Sequence, residues 1–397
     1  MLGRGEARGR VDIGGAGASR PLEANRNPVV RSRGAPLVRR RTDRARAPKL
    51  MSKTHNKACI DLGTLQMMDL SKNWNELPSR VEATNMRGAR EMDRPPSPDT
   101  QPPWKIAELV LCGAAVSGRI AVEGQDTRNF ALDFDSFKRE AIAAVKAGAA
   151  MVHIDTGGIA AIMQSGLSVP QIFDKIVGEI NVEIGRDWVP DGNILRGRNF
   201  AENLYPVTSG MLETTLMAPR FPVDWMQATA HVCMANEVPL FLVIHSAAEV
   251  DLARRYITSQ GLVKKPYCFD VLIGYPFDDS TDWMATYLAN PKAMVDELML
   301  IVDRIKEIDE DSVIMVNAAG RAGHYLVTQA MLLGLHVRTG TEDMAFRFPH
   351  RNDLIESNSE CVLRVKQTAE ALGRRLATPE EYRQMVGAKR RGAKAAA

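Results

Sequence analysis

The segment His336–Asp343 reads His-Val-Arg-Thr-Gly-Thr-Glu-Asp and places one permanent cation and two adjacent carboxylates around a glycine. Read as a short strand, it puts Arg338, Gly340 and Glu342 on one face, because side chains alternate along a strand. Ionic groups this concentrated at the end of a strand are hard to explain by packing and are typical of a catalytic site. Taken alone, the segment is equally compatible with a charged, solvated turn.

A second polar pair, His153 and Asp155, is separated by one residue within an apolar run. The alternate positions, Val152 and Ile154, are apolar, so the pair shares one strand face. An imidazole and carboxylates on neighbouring strands are a suitable ligand set for a divalent metal with open positions. The residues therefore predict metal ligation by His153, Asp155 and Glu342.

Two structural alternatives remain open for these residues. His153 could be a buried core histidine bonded only to Asp155. Arg338 could form an ordinary ion pair with the neighbouring carboxylates that closes the fold.

Other polar residues at predicted strand ends are weaker candidates. Hydroxyl or amide groups that could hold a carboxylate substrate are Ser117, Thr156, Thr215 and Asn317. Histidines expected on the same rim are His245, His324 and His350, whereas His231 lies within a predicted helix. No Gly-x-Ser-x-Gly motif is present, so the sequence gives no sign of a hydrolase triad.

Eight short apolar runs alternate with longer amphipathic stretches from Glu108 onward, as expected for parallel strands joined by helices. The predicted strands are Leu109–Ala115, Ala150–Asp155, Asp187–Leu195, Met211–Met217, Leu240–Ile244, Asp270–Ile273, Ser312–Asn317 and His336–Thr339. The clearest predicted helices are Phe134–Ala147, Pro170–Gly185, Asp224–Ala235, Ala247–Gln260, Pro291–Ile308, His324–Leu333 and Asp353–Leu372.

Eight such units predict a (β/α)₈ TIM barrel, in which catalytic groups lie at the carboxyl ends of the strands. The second and eighth predicted strands both neighbour the first in a closed barrel, so His153 and Arg338 should converge over it. A doubly wound open sheet is the alternative. Its glycine-rich phosphate loop is not evident, since Cys112–Ala115 is too short and apolar for that role.

The positive charge is confined to the start of the chain. Residues 1–50 contain 13 Lys and Arg against 4 Asp and Glu, which leaves the rest of this chain of net charge +3 mildly acidic. We therefore expect no nucleic-acid binding by the body of the protein. Predicted regions are a disordered basic extension and irregular lead-in at 1–104, with Met51 an alternative start, a barrel at 105–390 and a disordered tail at 391–397.

Two further features bear on the compartment. No apolar stretch approaches the roughly 18 residues needed to span a bilayer. The five cysteines are widely spaced and odd in number, as is typical of reduced thiols, and none has metal-site spacing. We therefore expect a soluble cytoplasmic protein that does not interact with membranes.

Several motifs together resemble the beta-keto acid cleavage enzyme family, of which 3-keto-5-aminohexanoate cleavage enzyme is typical. His336–Asp343 resembles the family's His-hydrophobic-Arg-x-Gly-x-Glu-Asp signature. Ile355–Asn358 resembles the start of its last helix, Leu372–Glu380 its C-terminal run, and Ala147–His153 the lead into its metal-binding strand. The resemblance covers about residues 106–387.

The resemblance implies a TIM barrel that condenses a beta-keto acid with acetyl-CoA, releasing acetoacetate and a new acyl-CoA. His153 and Glu342 would then be ligands of a zinc ion, and Arg338 with Asp343 would form an acid–base pair. The metal would polarise the keto oxygen of the substrate and stabilise an enolate. The family also suggests a symmetric homo-oligomer.

The sequence departs from the family pattern where a second metal-binding histidine is expected. Asp155 takes that place, and Thr156-Gly157-Gly158 replaces the usual Arg-Asp-Pro. A carboxylate ligand favours harder ions, so manganese or another divalent ion is an alternative to zinc. The strand Leu240–Ile244 lacks the acidic residues that the family tends to carry there.

Two alternative functions remain. One is a metal-dependent aldolase or lyase on the same barrel without CoA. The other is a non-catalytic barrel that has lost its metal and binds a metabolite or partner protein.

Overall fold

The structure, a computed structural model, describes residues 99, 101–117, 133–155, 159–195, 197–275 and 286–391. Ser97–Ala397 forms one compact unit. The predicted basic extension, most of the lead-in and most of the C-terminal tail lie outside the described residues, as do the Met51 start and Thr156.

Ten strands are present in the described residues. They are β1 Leu109–Val110, β2 Cys112–Ala115, β3 Met151–Ile154, β4 Val189–Asn193, β5 Thr214–Met217, β6 Leu240–Ile244, β7 Cys268–Ile273, β8 Val313–Ala318, β9 His336–Thr339 and β10 Arg375–Leu376. Strands β2–β9 close into a barrel of eight parallel strands, and β1 pairs with β10 beside it. The predicted TIM barrel is confirmed.

The described helices follow the strands. They are α1 Phe134–Ala147, α2 Ala160–Met163, α3 Val169–Ile184, α4 Phe200–Thr208, α5 Val223–Ala235, α6 Ala247–Tyr256, α7 Pro291–Lys306, α8 Gly323–Leu332, α9 Asn358–Ala371 and α10 Pro379–Val386. Short 3₁₀ turns occupy Thr258–Gln260 and Gly320–Ala322. No helix in the described ranges is both long enough and apolar enough to cross a bilayer.

Local signals explain where the clearest helices begin and end. Asp133 caps α1 and exchanges hydrogen bonds with Ser136 in a capping box, while Gly148 ends the helix. Ser168 and Gln171 form the same box at α3. Most helix predictions were accurate to within two residues, but α9 begins five residues later than expected, because Ser357 caps it.

The barrel strands separate two apolar layers. Val152 and Ile154 of β3 belong to the outer layer shared with the helices, so His153 faces the lumen as predicted. β2 lies between β3 and β9, with Ala115 opposite His153 and Gly113 opposite Arg338. The missing side chain of Gly113 leaves room for Met151 and Met315, which fill the lumen beside it.

The amino end of the barrel is closed by the C-terminal helix α10, which the sequence did not predict. Tyr382 and Val386 pack with lumen residues such as Met315. Arg383 is buried beside them, where Nε donates to Glu213 Oε2 at 2.6 Å and Nη2 donates to the Trp188 carbonyl at 2.7 Å. The carboxyl end is where the predicted catalytic residues lie.

Candidate active site

Arg338 lies in the lumen at the carboxyl end of β9 and is surrounded by carboxylates. Its Nη1 is 3.0 Å from Asp270 Oδ2, and its Nη2 is 3.2 Å from Asp343 Oδ2 and 4.0 Å from Glu342 Oε1. All four side chains are almost fully buried. One guanidinium therefore serves three carboxylates, which leaves the cluster with excess negative charge.

Asp343 is held by three donors. Tyr275 donates its hydroxyl to Oδ1 at 2.7 Å, and Oδ2 accepts from Asn317 Nδ2 at 2.7 Å and from Arg338. Burial acts to raise the pKa of Asp343, but Arg338 and the bonds from Tyr275 and Asn317 outweigh it, so its pKa lies below the usual range. Asp343 is thus kept ionised without contact with water.

His153 is oriented by carboxylates on both sides. Its Nδ1 lies 2.6 Å from Asp191 Oδ2, and Asp191 also accepts a hydrogen bond from Thr214. This contact makes Nδ1 the protonated nitrogen, and Nε2 is 3.6 Å from Glu342 Oε1. The other oxygen of Glu342 accepts from Ser117 Oγ at 2.7 Å.

Burial raises the pKa of Glu342 despite the opposing effect of His153, because Asp343 and Asp155 add their repulsion. Burial acts to lower the pKa of His153, but Glu342 and the bond to Asp191 outweigh it and raise the pKa above its usual value. Burial also raises the pKa of Asp270 to about 6, despite Arg338. The cluster therefore favours any species that adds positive charge, whether a proton or a cation.

The sequence predicted that Glu342 lies on the same strand face as Arg338. In the structure Glu342 lies beyond the end of the strand and reaches the site through a turn. Strand β9 ends at Thr339, and a turn at Gly340 brings Glu342 back, with its backbone N–H donating to the Ala115 carbonyl at 3.1 Å. Gly340 has φ +143°, and a Cβ there would lie 2.1 Å from the Ala115 oxygen. Only glycine allows this turn to approach β2 so closely.

Asn358, at the start of α9, supports the same turn. Its Oδ1 accepts the Thr341 N–H at 2.9 Å, and its Nδ2 donates to Glu140 Oε2 at 3.2 Å. This contact links the site turn to α1 and α9, so Glu342 and Asp343 are carried by a braced loop.

The lumen above these residues holds a cavity of about 280 Å³. One part, the charged half, is formed by His153, Asp155, Arg338 and Glu342. The opposite part, the apolar wall, comes from the ends of β5, β6 and β7 with the loop before α5, and comprises Leu216, Met217, Ala218, Phe221, Val243 and Leu272. Asp343 is not among the lining residues but contacts two that are, Arg338 and Tyr275.

The weaker candidates are placed differently. Ser117 is buried and bonds Glu342, so it belongs to the site. Thr215 does not line the cavity, because its neighbours Thr214 and Leu216 face the lumen and its own hydroxyl donates to the Gly192 carbonyl at 2.7 Å. Thr156 lies outside the described residues.

The histidines differ in whether they lie at the cavity. His245 lines the cavity at the end of β6. His324 lies in the first turn of α8, where burial and Arg364 lower its pKa to about 4. His231 is within α5, as predicted, and His350 lies in the loop after β9.

The sequence of this chain is similar to those of known proteins. The family model described as beta-keto acid cleavage enzyme matches residues 194–387. The 3-keto-5-aminohexanoate cleavage enzyme of Fusobacterium nucleatum is 32% identical over 141 residues, which is 36% of this chain and 44% of that protein. The chain thus spans less than half the length of this curated relative.

The match to the beta-keto acid cleavage enzyme family thus covers 194 of the 397 residues of the chain, residues 194–387. Arg338, Glu342 and Asp343 lie within the matched residues, whereas His153 and Asp155 lie before them. The resemblance predicted from the sequence is therefore confirmed, and the identity of 32% fits a divergent sequence.

Two solved structures share the barrel fold of this chain. The apo structure of ObcA has a TM-score of 0.53 and 17% identity, covering 66% of this chain and 66% of ObcA. A ternary complex of ObcA with a C4-CoA adduct and oxalate has a TM-score of 0.51 and 17% identity, covering 65% and 67%. At this identity the likeness extends to the fold alone.

Two residues of the site, His153 and Glu342, have the donor chemistry and spacing that a divalent metal requires. Two ligands about 2.1 Å from a tetrahedral zinc lie roughly 3.4 Å apart, close to the 3.6 Å between His153 Nε2 and Glu342 Oε1. The contact of Asp191 with His153 Nδ1 is the usual orientation of a metal-binding histidine. These two residues and the excess of buried carboxylates fit a cation.

The third predicted ligand, Asp155, lies near the other two but does not complete a metal-binding arrangement with them. Asp155 lines the same cavity and is close enough to raise the pKa of Glu342, after burial and Asp343. Within the described ranges, however, no group of three or more His, Cys, Asp or Glu side chains is arranged to hold a metal. The structure thus brings His153 and Glu342 into ligand-like positions, with Asp155 beside them.

Two carboxylates of the site were not predicted from the sequence. Asp191 and Asp270 occupy lumen positions in the middle of β4 and β7. A signal was present, because each is a lone carboxylate within a buried strand, where an ionised group needs a partner. The predicted strand begins at Asp270, whereas β7 begins at Cys268, so the central position of Asp270 is evident only in the structure.

Proposed function

We propose that this protein condenses a beta-keto acid with acetyl-CoA, releasing acetoacetate and the acyl-CoA of the remaining chain. The observation that carries the proposal is the buried, ionised Asp343, held by Arg338, Tyr275 and Asn317 beside the His153–Glu342 pair. The family match supports the same reaction class. The match covers 44% of the length of the curated relative, so the activity of this chain is proposed here from its own site.

The proposed reaction moves a two-carbon unit. Carbon 2 of the keto acid loses a proton and attacks the carbonyl carbon of acetyl-CoA, whose bond to sulfur breaks and releases the CoA thiolate. The bond between carbons 2 and 3 of the keto acid then breaks, and the CoA thiolate ends on the released acyl group. The proton returns, so no oxidant, reductant or water is consumed.

Asp343 is proposed to take the proton from carbon 2. Its Oδ2 is engaged by Asn317 and Arg338, and its Oδ1 accepts the hydroxyl of the cavity-lining Tyr275. Oδ1 is therefore the proposed base. Arg338, which lines the cavity, orients Asp343 and pairs with negative charge that develops on the substrate.

A divalent ion, zinc or a harder ion such as manganese, is proposed as the cofactor, with His153, Glu342 and Asp155 as its ligands. When bound, it supplies polarisation of the keto oxygen. Ser117 and Asp191 position Glu342 and His153 for this task, respectively. Ser117 and Thr156 remain proposed contacts for the substrate carboxylate, although Ser117 already bonds Glu342.

CoA use is supported by the family match and by the CoA adduct named in the ObcA complex. Because ObcA shares only the fold at 17% identity, the proposal needs a direct test. Purified protein is incubated with a beta-keto acid, with and without acetyl-CoA, and acetoacetate and acyl-CoA are measured. Formation of both products in equal amounts, only with acetyl-CoA, is expected.

The outcome also separates the alternatives. Cleavage that is independent of acetyl-CoA would indicate an aldolase or decarboxylating lyase. The absence of cleavage under all conditions, together with binding of the acid, would indicate a non-catalytic metabolite-binding barrel.

The metal is tested separately by elemental mass spectrometry of the purified protein and of His153→Ala. Near-stoichiometric zinc or manganese in the native protein and its loss in the variant are expected. Equal metal content in both proteins would exclude His153 as a ligand.

The proposed setting is a cytoplasmic homo-oligomer. The four described cysteines, Cys112, Cys233, Cys268 and Cys361, are buried free thiols, which supports a reducing compartment. Light scattering of the purified protein measures the number of subunits.

A further inference from the structure

We propose that the beta-keto acid taken by this site carries an uncharged, apolar R group, which binds against the apolar wall of Leu216, Met217, Ala218, Phe221, Val243 and Leu272. This inference rests on the proposed function, because it assigns the charged half of the cavity to the keto acid head. It departs from the substrate named for the curated relative, 3-keto-5-aminohexanoate, whose amino group is cationic at neutral pH.

The topology separates the two halves of the cavity. The charged half comes from β3 and β9 with the turn that follows β9, which flank β2. The apolar wall comes from β5, β6 and β7, on the opposite arc of the ring. A keto acid whose head lies at His153 and Arg338 therefore directs its R group across the lumen toward the apolar wall.

The apolar wall is a packed surface and not a scatter of exposed residues. Ala218, Val243, Leu272 and Tyr275 form one hydrophobic cluster, with Leu216 and Phe221 against it. Trp225 extends the surface, with its ring centroid 4.8 Å from that of Phe221. Such a surface stabilises alkyl or aromatic groups and penalises an ionised group that has no counter-ion.

Glu249, a carboxylate near the end of β6, is already paired with a cation. Glu249 lies behind His245 and forms an ion pair with Arg220, and its Oε2 accepts the backbone N–H of His245 at 2.6 Å. The same oxygen is 3.0 Å from His245 Nδ1. Arg220 and Glu249 cancel, so neither an ammonium nor a carboxylate on R meets a net opposite charge here.

The size of the cavity limits the R group. Its volume of about 280 Å³ is slightly below the range of roughly 300–1,000 Å³ found for drug-sized ligands. A short alkyl or single-ring R group suits this space, whereas a long acyl chain does not.

The test compares two keto acids that differ mainly in charge, 3-ketohexanoate and 3-keto-5-aminohexanoate. Binding is measured without acetyl-CoA through the fluorescence of Trp225, with Trp225→Phe as the control that removes the signal. Turnover is then measured with acetyl-CoA. We expect kcat/KM for the neutral acid to exceed that for the ammonium acid on the order of 100-fold, with Kd following in the same direction.

A matched pair of variants tests the cause. Ala218→Asp adds a carboxylate to the apolar wall, and Ala218→Asn adds the same shape without charge. Relative to Asn, the Asp variant is expected to shift the preference toward the ammonium acid by roughly 10-fold. If both variants shift the preference for the ammonium acid equally, the shape of the wall and not its charge determines substrate selectivity, and the proposal is overturned.

The remaining outcomes are distinct. Equal or tighter binding of the ammonium acid by the native protein overturns the apolar assignment and leaves the proposed reaction intact. Selective binding of the neutral acid, with no acetoacetate from either acid, supports the assignment and overturns the proposed reaction. Failure to bind either acid overturns both.

Discussion

Both ends of this barrel contain buried arginines, but the charges of the groups around them differ. At the amino end, Arg383 pairs with Glu213 and a backbone carbonyl, and Arg374 donates to the backbone carbonyls of five residues. At the carboxyl end, Arg338 faces three carboxylates. Burial of an arginine therefore says little about function until its partners are counted.

The difference lies in charge balance. The partners of Arg374 are neutral dipoles fixed by secondary structure, and Arg383 and Glu213 cancel. In the described part of the chain, buried atoms without hydrogen-bond partners occur at both ends, Asp270 Oδ1 and Arg338 Nε at one and Arg383 Nη1 at the other, so charge balance is what distinguishes the two ends. A cluster that is incompletely satisfied and overcharged costs stability, which is typical of groups retained for chemistry.

Asp343→Asn should give the largest effect on activity at the carboxyl end. Asn cannot accept the proton, so we expect kcat for acetoacetate formation to fall by about 1,000-fold or more, the range seen for essential acid–base groups. The amide oxygen can still accept from Tyr275, but the amide NH2 group would face the donors of Asn317 and Arg338, so we also expect a loss of about 1–3 kcal/mol in the free energy of unfolding. Steady-state kinetics and urea unfolding measure the two quantities.

The corresponding change at the amino end is Arg383→Met, which should lower the free energy of unfolding strongly and leave kcat nearly unchanged. It leaves Glu213 buried without its counter-ion, so we expect a loss of about 3–5 kcal/mol in the free energy of unfolding. The kcat of the folded fraction should stay near the native value. The double variant with Glu213→Gln should recover much of the loss, and a fall in kcat to the Asp343→Asn level would undo the contrast between the two ends.

Tyr275→Phe should have a smaller effect than Asp343→Asn. It removes the hydroxyl that donates to Asp343 Oδ1 at 2.7 Å, a bond to a charged acceptor worth about 1.5–3 kcal/mol. We expect kcat to fall by about 10-fold to 100-fold. The acidic limb of the pH profile should also move to higher pH, since the pKa of Asp343 rises when a donor is lost. An unchanged profile would argue against Asp343 as the base.

His336 gives the smallest and most specific prediction, because it is a buried histidine with no part in the proposed chemistry. Its Nδ1 accepts the Leu111 N–H at 3.2 Å. Burial first, and then Arg374, lower its pKa to about 4. Since the unfolded chain binds this proton at about pH 6.5, stability is lost as the pH falls from 6.5 toward 4.

The measurement is the free energy of unfolding of the native protein and of His336→Gln at pH 7 and pH 5. The native protein should lose about 2 kcal/mol more than the variant over this interval, at about 1.4 kcal/mol for each pH unit below 6.5. Comparison with the variant removes the opposite contribution of Asp270 and Glu342, whose raised pKa values favour the folded state as the pH falls. Equal losses in both proteins would mean that His336 is protonated in the folded state.

Much of the fold could be predicted because it depends on local periodicity. The strands β6 and β9 and the helix α1 matched their predicted bounds, since apolar spacing and caps act within a few residues. Helix α4 escaped prediction because Pro206 lies inside it. Helix α10 was also not predicted, although Thr378 and Glu381 form a capping box at its start and Gly387 ends it. Only its position under the barrel depends on residues distant in sequence, such as Glu213 and Met315.

The sequence by itself determined the barrel, the polar faces of β3 and β9, and the family resemblance, because alternation and short motifs are local properties. The tertiary structure alone decided that Thr215 turns away from the lumen, that Asp191 and Asp270 join the site, and that an apolar wall faces the charged half. Each of these depends on which strands meet across the closed ring. Register and closure are long-range consequences of packing, which no single segment encodes.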